Sequence, residues 1–150
     1  MHPYWRLLYF VGGVLTVGLA IGGLTAPDDW YQQLNKPVFN PPNWIFGPTW
    51  TLLYVAIGTV GWRLWHKGQP ASLTRLWWLQ LILNFSWSPV FFVLHAPEYA
   101  LVLVTLLLAT IIGFIALSWP RDRISALLFV PYAAWVTFAA VLNGAIWRLN

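Results

Sequence analysis

The chain alternates between long apolar runs and short polar breaks. Residues 7–24, 37–62, 76–97, 99–120 and 124–147 contain no Asp, Glu, Lys or Arg. A helix needs about 20 apolar residues to cross a bilayer. The pattern therefore predicts five spans, at about 5–25, 44–65, 73–94, 98–119 and 124–147. The runs are continuous and lack period-two alternation, which predicts helices rather than a β-barrel. The expected fold is an all-α membrane protein: a five-transmembrane-helix bundle forming a single domain over residues 1–150. The first run is longer than the apolar core of a secretory signal, about 7–15 residues. Pro27 follows the only plausible cleavage site, Leu24-Thr25-Ala26, so this run is read as a permanent span.

Three breaks are short: Lys67-Gly68-Gln69-Pro70, Ala96-Pro97-Glu98 and Pro120-Arg121-Asp122-Arg123. The first loop, about residues 26–43, is different. It holds Pro27, Pro37, Pro41 and Pro42 together with Trp30, Tyr31 and Phe39. So many prolines forbid a long helix, and so many aromatics do not suit a slack linker. The expectation is a structured first loop acting as a lid over one end of the bundle. The competing reading is that these aromatics only float at the membrane interface. Asp28-Asp29 reads as solvated polarity or as the cap of a short loop helix. There is no internal repeat of the kind that marks alternating-access transporters.

Composition excludes whole classes. Hydrophobic residues make up 59% of the chain and charged residues 8%, against about 25% charged in soluble domains. A soluble or disordered chain is excluded. A net charge of +4 is too thin and scattered for a nucleic-acid surface. The basic residues instead report orientation. Arg6, Arg63, Lys67, Arg75, Arg121 and Arg123 fall on one side of a five-span chain, and Lys36 and Arg148 on the other. The N-terminus and the second and fourth loops are expected inside, and the long first loop outside. The compact chain without a targeting extension favours a multi-pass protein of a bacterial membrane, inner or outer not resolved.

Conventional catalytic chemistry is missing. There is no cysteine, phosphate loop or Ser/His/Asp pattern, and no metal cluster is expected. No ionisable residue lies in the middle of a span, which argues against ion-coupled transport. His2, His66 and His95 all fall near span ends and read as interfacial.

Polar and aromatic stripes remain. Trp77, Gln80, Asn84, Trp87 and Phe91 recur at three- and four-residue steps and share one helical face. An Asn and a Gln in hydrocarbon need partners, so this face should point into the bundle. Spacing alone leaves interhelical hydrogen bonding and a ligand role equally open. Tyr132, Trp135, Ala139 and Asn143 form a similar stripe in the fifth span. Trp50, Tyr54 and Gly58 follow one another by single turns in the second. Of the twelve tryptophans, Trp5, Trp65, Trp119 and Trp147 belong to the aromatic belt. Trp50, Trp87 and Trp135 are interior, and together they would line a cavity suited to a large, planar, mostly apolar ligand. A tetrapyrrole or a sterol fits, and spacing does not choose between them. Gly18 and Gly22 form a small-xxx-small pair, read either as a dimer face or as close packing within the chain.

These residues carry a resemblance. Trp30-Tyr31, Leu34, Lys36-Pro37 and Pro41-Pro42 with Trp44, Phe46, Trp50, Leu53 and Tyr54 resemble the first-loop and second-helix signature of the translocator protein / tryptophan-rich sensory protein family (the peripheral-type benzodiazepine receptor family). Gln80, Asn84, Trp87, Pro89 and Phe91-Phe92 resemble its third-helix motif. Pro131-Tyr132, Trp135, Ala139 and Leu142-Asn143 resemble its fifth. The match runs in order along the whole chain.

The resemblance implies a five-helix bundle, a homodimer, and a first loop covering a ligand pocket. It implies tetrapyrroles such as protoporphyrin IX and haem as ligands, with no cofactor required, and also sterols and isoquinoline or benzodiazepine drugs. Carried over residue by residue, the pocket comprises Tyr31 and Pro41 from the loop, Trp50 and Tyr54, then Asn84, Trp87 and Ser88, then Trp135, Ala139 and Asn143. The macrocycle is expected between Trp50, Trp87 and Trp135, with Asn84 and Asn143 offering hydrogen bonds. The resemblance further implies porphyrin sensing or transport, with light-dependent porphyrin degradation as one alternative; the other is a sterol- or lipid-binding carrier, or a scaffold whose tryptophans only anchor it. Trp50 and Trp135 match the tryptophans tied to that photochemistry.

Two departures bear on these expectations. The family's sterol motif near the C-terminus needs a central Tyr, and Gly144 stands at that position. Sterol is therefore ranked below porphyrin. Arg75 and Leu79 replace the small-xxx-small pair that some members carry early in the third helix, so a dimer would use another face.

Overall fold

The computed structural model describes residues 3–150. His2 lies outside the described residues. In chain order the elements are α1 (Pro3–Leu24), the short α2 (Asp29–Gln33), a 3-10 turn (Asn43–Ile45), α3 (Phe46–His66), α4 (Ala71–Ser88), a π-helical turn (Pro89–Val93), α5 (Pro97–Ser118) and α6 (Arg123–Leu149). No strand occurs among the described residues.

Five segments are long and apolar enough to span a bilayer: Tyr4–Leu24, Asn43–His66, Ala71–Val93, Pro97–Ser118 and Arg123–Leu149. Each departs from its expected bounds by no more than a few residues. The physical cause is plain. In hydrocarbon every backbone N–H and C=O must bond within its own segment, so a charge-free run of this length becomes a helix. Hydroxyls obey the same rule. Thr51, Thr59, Thr105, Thr110 and Thr137 each donate to the carbonyl four residues earlier, at 2.7–2.8 Å.

The packing does not follow chain order. α1 lies along α3, α3 meets α6, α6 packs on α5, and α5 packs on α4. α4 only brushes α1 and α3, so the space between α1, α3, α4 and α6 is not closed by direct helix contact. Glycines set the α1–α3 approach. A Cβ at Gly58 would lie 2.6 Å from Val11 Cα, and one at Gly61 would lie 2.9 Å from Phe10 Cδ1 of α1 and 2.5 Å from the Trp77 ring of α4.

The main core follows helical spacing. Leu53, Ile57, Val60 and Leu64 of α3 meet Leu73, Trp77 and Leu81 of α4, Val104, Leu107, Ile111 and Phe114 of α5, and Phe129, Tyr132 and Val136 of α6. A second cluster, Tyr31, Phe91, Ala100, Leu142 and Ile146, lies beneath the first loop.

The end away from the first loop is closed by charge. Arg63 grips Asp122 with two hydrogen bonds, Nε to Oδ2 at 3.1 Å and an Nη nitrogen to Oδ1 at 2.6 Å. Ser125 Oγ donates to the same carboxylate at 2.6 Å, and Lys67 Nζ lies 3.4 Å away. Asp122 is 3% exposed, so this buried carboxylate ties the end of α3 to the start of α6. Arg6 and Arg123 sit over the rings of Trp65 and Trp119 at 3.9 and 4.8 Å, which anchors belt tryptophans to basic residues at span ends.

Candidate functional site

The expected inward stripe of α4 is realised. Trp77, Gln80, Asn84 and Phe91 are buried and Trp87 is half-buried. Its polar members are joined to the facing helices. Tyr132 Oη donates to Gln80 Oε1 at 2.8 Å, and Asn84 Nδ2 donates to Tyr132 Oη at 2.6 Å. Tyr54 Oη reaches Asn84 Oδ1 at 3.5 Å. Gln80 Nε2 donates to Trp77 O at 2.8 Å, and Trp77 Nε1 to Ile57 O at 2.9 Å. One turn toward the first loop, Trp87 Nε1 donates to Asn143 Oδ1 at 2.9 Å, and Asn143 Nδ2 donates to Pro97 O at 2.8 Å. Both asparagines are therefore bonded to neighbouring helices, and both also line the cavity described next.

Between α1, α3, α4, α6 and the first loop lies a cavity of about 500 Å³. Nine of the ten expected residues line it: Tyr31, Trp50, Tyr54, Asn84, Trp87, Ser88, Trp135, Ala139 and Asn143. Pro41 is not among the lining residues and is half-buried in the loop. Tyr132, named in the α6 stripe, is fully buried behind the wall. Small Ala139 lines the cavity beside the aromatic rings of the same stripe. Trp50 stacks on Tyr54 with centroids 5.5 Å apart, and Trp135 lies edge-on to Phe46 at 5.8 Å. Among the described residues, buried Trp135 Nε1 has no hydrogen-bond partner.

Sequence reasoning missed part of the wall. Phe92 lines the cavity together with Phe91. Consecutive residues of an α-helix diverge by about 100°, which would send one of the pair away. The π-helical turn Pro89–Val93 is wider and keeps both near the cavity. Its cue was Pro89, which ends α4 without starting a new span. α1 contributes Gly18, Gly22 and Gly23. The glycine pair is thus turned into the chain's own cavity. A Cβ at Gly18 would lie 2.5 Å from Tyr54 Cε2.

The first loop is folded over this end and contributes Pro27, Tyr31 and Gln32 to the wall. Asp28 caps α2, accepting from Tyr31 N at 3.1 Å. That bond, countered by partial desolvation and reinforced by His95, holds the Asp28 carboxyl below the usual carboxylate range. Tyr31 is 4% exposed and lies against Phe91 and Phe92. Burial pushes its hydroxyl up, with Asn40 opposing the shift, so it stays a neutral phenol. Three ties hold the loop down. Thr25 and Ser88 share a hydroxyl contact at 2.5 Å. Trp30 stacks on His95 at 4.3 Å, and His95 Nε2 is 2.9 Å from Asp28 Oδ2. Asn35 and Asn150 exchange hydrogen bonds at 3.0 and 2.9 Å. His95 takes φ +52°, the left-handed position that ends a helix, and Ala96 N donates back to Val90 O at 3.2 Å.

No group of three His, Cys, Asp or Glu side chains able to hold a metal occurs among the described residues. The wall's polar groups are phenols, amides, one serine hydroxyl and indole N–H groups. Such a lining suits burial and aromatic stacking of an apolar ligand.

Fold and site together define a five-span helical membrane protein with an aromatic-walled intramembrane cavity beneath a folded loop. Its sequence matches the TspO/MBR family over residues 3–148. It is 40% identical over 149 residues to the Tryptophan-rich protein TspO of Archaeoglobus fulgidus, covering 97% of each chain. It is 35% identical over 150 residues to the Tryptophan-rich sensory protein of Cereibacter sphaeroides, covering 100% of this chain and 95% of the relative. It is also 35% identical over 163 residues to the Translocator protein of Sus scrofa, covering 100% and 94%. The chain belongs to the TspO/MBR family and is a multi-pass integral membrane protein, with a bacterial protein among these relatives.

Proposed function

We propose that this protein binds tetrapyrroles such as protoporphyrin IX within the bilayer, as a step in porphyrin sensing or transport. The observation that carries this reading is the convergence of Trp50, Trp87 and Trp135 on one cavity of about 500 Å³. That volume is within the range of small-molecule sites, about 300–1,000 Å³. Flat indole faces suit a planar macrocycle. Burying about 300 Å² of apolar ligand area at about 25 cal/mol/Å² yields about 7 kcal/mol before binding costs. Micromolar affinity corresponds to about 8 kcal/mol net, so stacking on the indole faces must add to this burial term. The first loop would act as the lid, because the Tyr31 it carries is part of the wall.

The test is a protoporphyrin IX titration of the detergent-purified protein in darkness, read by tryptophan fluorescence. Saturable micromolar quenching is expected, and it should be lost in a Trp50→Ala, Trp135→Ala double variant. Quenching that never saturates, or that survives the double substitution, sinks this site assignment.

A second reading is favoured by the stacking of Trp50 on Tyr54 at 5.5 Å and its edge contact with Tyr132 at 6.5 Å. Electron-rich rings in a row beside a photosensitiser suit light-dependent porphyrin breakdown, with dioxygen as the oxidant. Illumination of the same titration tests it. A new absorbance band appearing only in light and air supports degradation, and an unchanged porphyrin spectrum opposes it.

A further inference from the structure

The cavity wall contains no Asp, Glu, Lys, Arg or His. Of its three asparagines, Asn84 and Asn143 are engaged by Tyr132, Trp87 and Pro97 O, which leaves the neutral amide of Asn43. An anionic group carried into it would lose its hydration and gain no counter-ion, which is strongly unfavourable. Any carboxylate on a ligand must therefore stay at the edge, beside a cation.

Among the described residues, a lysine of the first loop stands beside the wall residue Tyr31. Lys36 is half-buried in the first loop. Its Nζ lies 4.5 Å from the centroid of the Tyr31 ring, and Tyr31 belongs to the cavity wall. The ammonium donates to Leu34 O at 3.3 Å. The ion pairs among the described residues involve Arg63, Lys67 and His95, not Lys36. An ammonium has three donors, so two remain for a ligand. Asp28, an acidic neighbour in the loop, is held by His95 and Tyr31 N.

We propose that Lys36 determines specificity for ligands bearing a carboxylate on one edge, the planar apolar body lying among the tryptophans and the carboxylate meeting the Lys36 ammonium beside Tyr31. This inference rests on the tetrapyrrole reading and deepens it. It orients the macrocycle with its acid edge toward the first loop, and it selects amphipathic tetrapyrroles over uniformly apolar ones. A half-exposed charge pair of this kind gives discrimination of roughly five- to tenfold.

The experiment compares protoporphyrin IX with its dimethyl ester on the full chain in detergent, by tryptophan quenching at low and high salt. The diacid is expected to bind roughly five- to tenfold more tightly than the ester at low salt, with the gap shrinking as salt is raised. Lys36→Gln should bring the diacid down to the ester's affinity and leave the ester unchanged, which also shows that the variant is folded. Lys36→Arg should keep the gap, and so should Arg148→Gln, at an exposed position in the last turn of α6. A gap that survives Lys36→Gln overturns the proposal. Equal affinities in the unaltered protein overturn it as well, including the case in which an anionic lipid's phosphate holds the ammonium instead. Failure of both porphyrins to bind saturably overturns the tetrapyrrole reading itself, and this inference with it.

Discussion

Gly18 of α1 and Tyr54 of α3 fit so closely that a Cβ at residue 18 would lie 2.5–2.8 Å from three atoms of the Tyr54 ring. That ring carries Trp50 on one side and faces Asn84 with its hydroxyl. Gly18→Ala should therefore displace the ring and distort the cavity, at about 1–3 kcal/mol. Gly22 lies one turn on, lines the same cavity, and has nothing within 4 Å of an added Cβ. Gly22→Ala should be neutral or stabilising by up to about 1 kcal/mol through helix propensity. Gly22→Leu should fill the cavity and weaken porphyrin binding without lowering stability. Thermal unfolding in detergent beside fluorescence titration checks the contrast. Equal destabilisation by Gly18→Ala and Gly22→Ala would refute it.

Tyr132 is fully buried, with its hydroxyl bonded on both sides, to Gln80 Oε1 and Asn84 Nδ2. Tyr132→Phe leaves fully buried Gln80 Oε1 without its donor and takes one partner from Asn84, at a cost of about 1–3 kcal/mol. Adding Gln80→Leu removes one stranded acceptor. The double variant should thus lose less than the sum of the two single ones. A double-mutant cycle on unfolding free energy measures the coupling, and strict additivity would argue that the network is not cooperative.

Why the spans could be read from the sequence and parts of the site could not follows from what each demands. A bilayer requires a charge-free length, and that requirement is visible residue by residue. The stripes on α4 and α6 were visible because a polar side chain in hydrocarbon must face a partner, and three- and four-residue spacing says which others share its face. Spacing could not say what the partner is, so interhelical bonding and a ligand role stayed open for Asn84, and only the packed helices bring Tyr132 to it and Trp87 to Asn143. The fit of Gly18 to Tyr54 needs the knowledge that α1 packs on α3, which is a tertiary fact. Phe92 needed the wider π-helical turn. The burial of Asp122 depends on Arg63 arriving from another helix, which no local pattern shows.

Trp87 and Trp135 both line the cavity, but their N–H groups differ. Trp87 donates to Asn143, which is 1% exposed, while Trp135 Nε1 has no partner among the described residues. Trp87→Phe should strand a buried acceptor and cost about 1–3 kcal/mol more than Trp135→Phe. Unfolding temperatures of the two variants give the comparison. A stable Trp135→Phe protein is then the right reagent for the light reaction. An altered photoproduct rate in it would reflect chemistry at the indole rather than loss of fold.

The two loop carboxylates should titrate with different consequences. Desolvation would raise the Asp122 carboxyl, but hydrogen bonds from Arg63 and Ser125 and the charges of Arg63 and Lys67 outweigh it and hold it down at about 2. Its folded value lies below the ordinary 3.8, so ionised Asp122 stabilises the fold above that pH. This contribution should fade as pH falls from about 4 through about 2. Asp122→Asn should flatten the acid limb of the stability curve, while leaving Arg63 buried beside a neutral partner at a cost of about 2–3 kcal/mol near neutral pH. Asp28 is lowered too, chiefly by the Tyr31 backbone N–H, but it is exposed and holds only the first loop. Asp28→Asn should leave the acid limb of global unfolding intact and change the environment of Trp30, which stacks on the His95 that Asp28 contacts. Unfolding temperature against pH for the three proteins, with tryptophan emission followed in parallel, separates the two sites. An acid limb unchanged by Asp122→Asn would show that the Arg63–Asp122 contact does not govern acid stability.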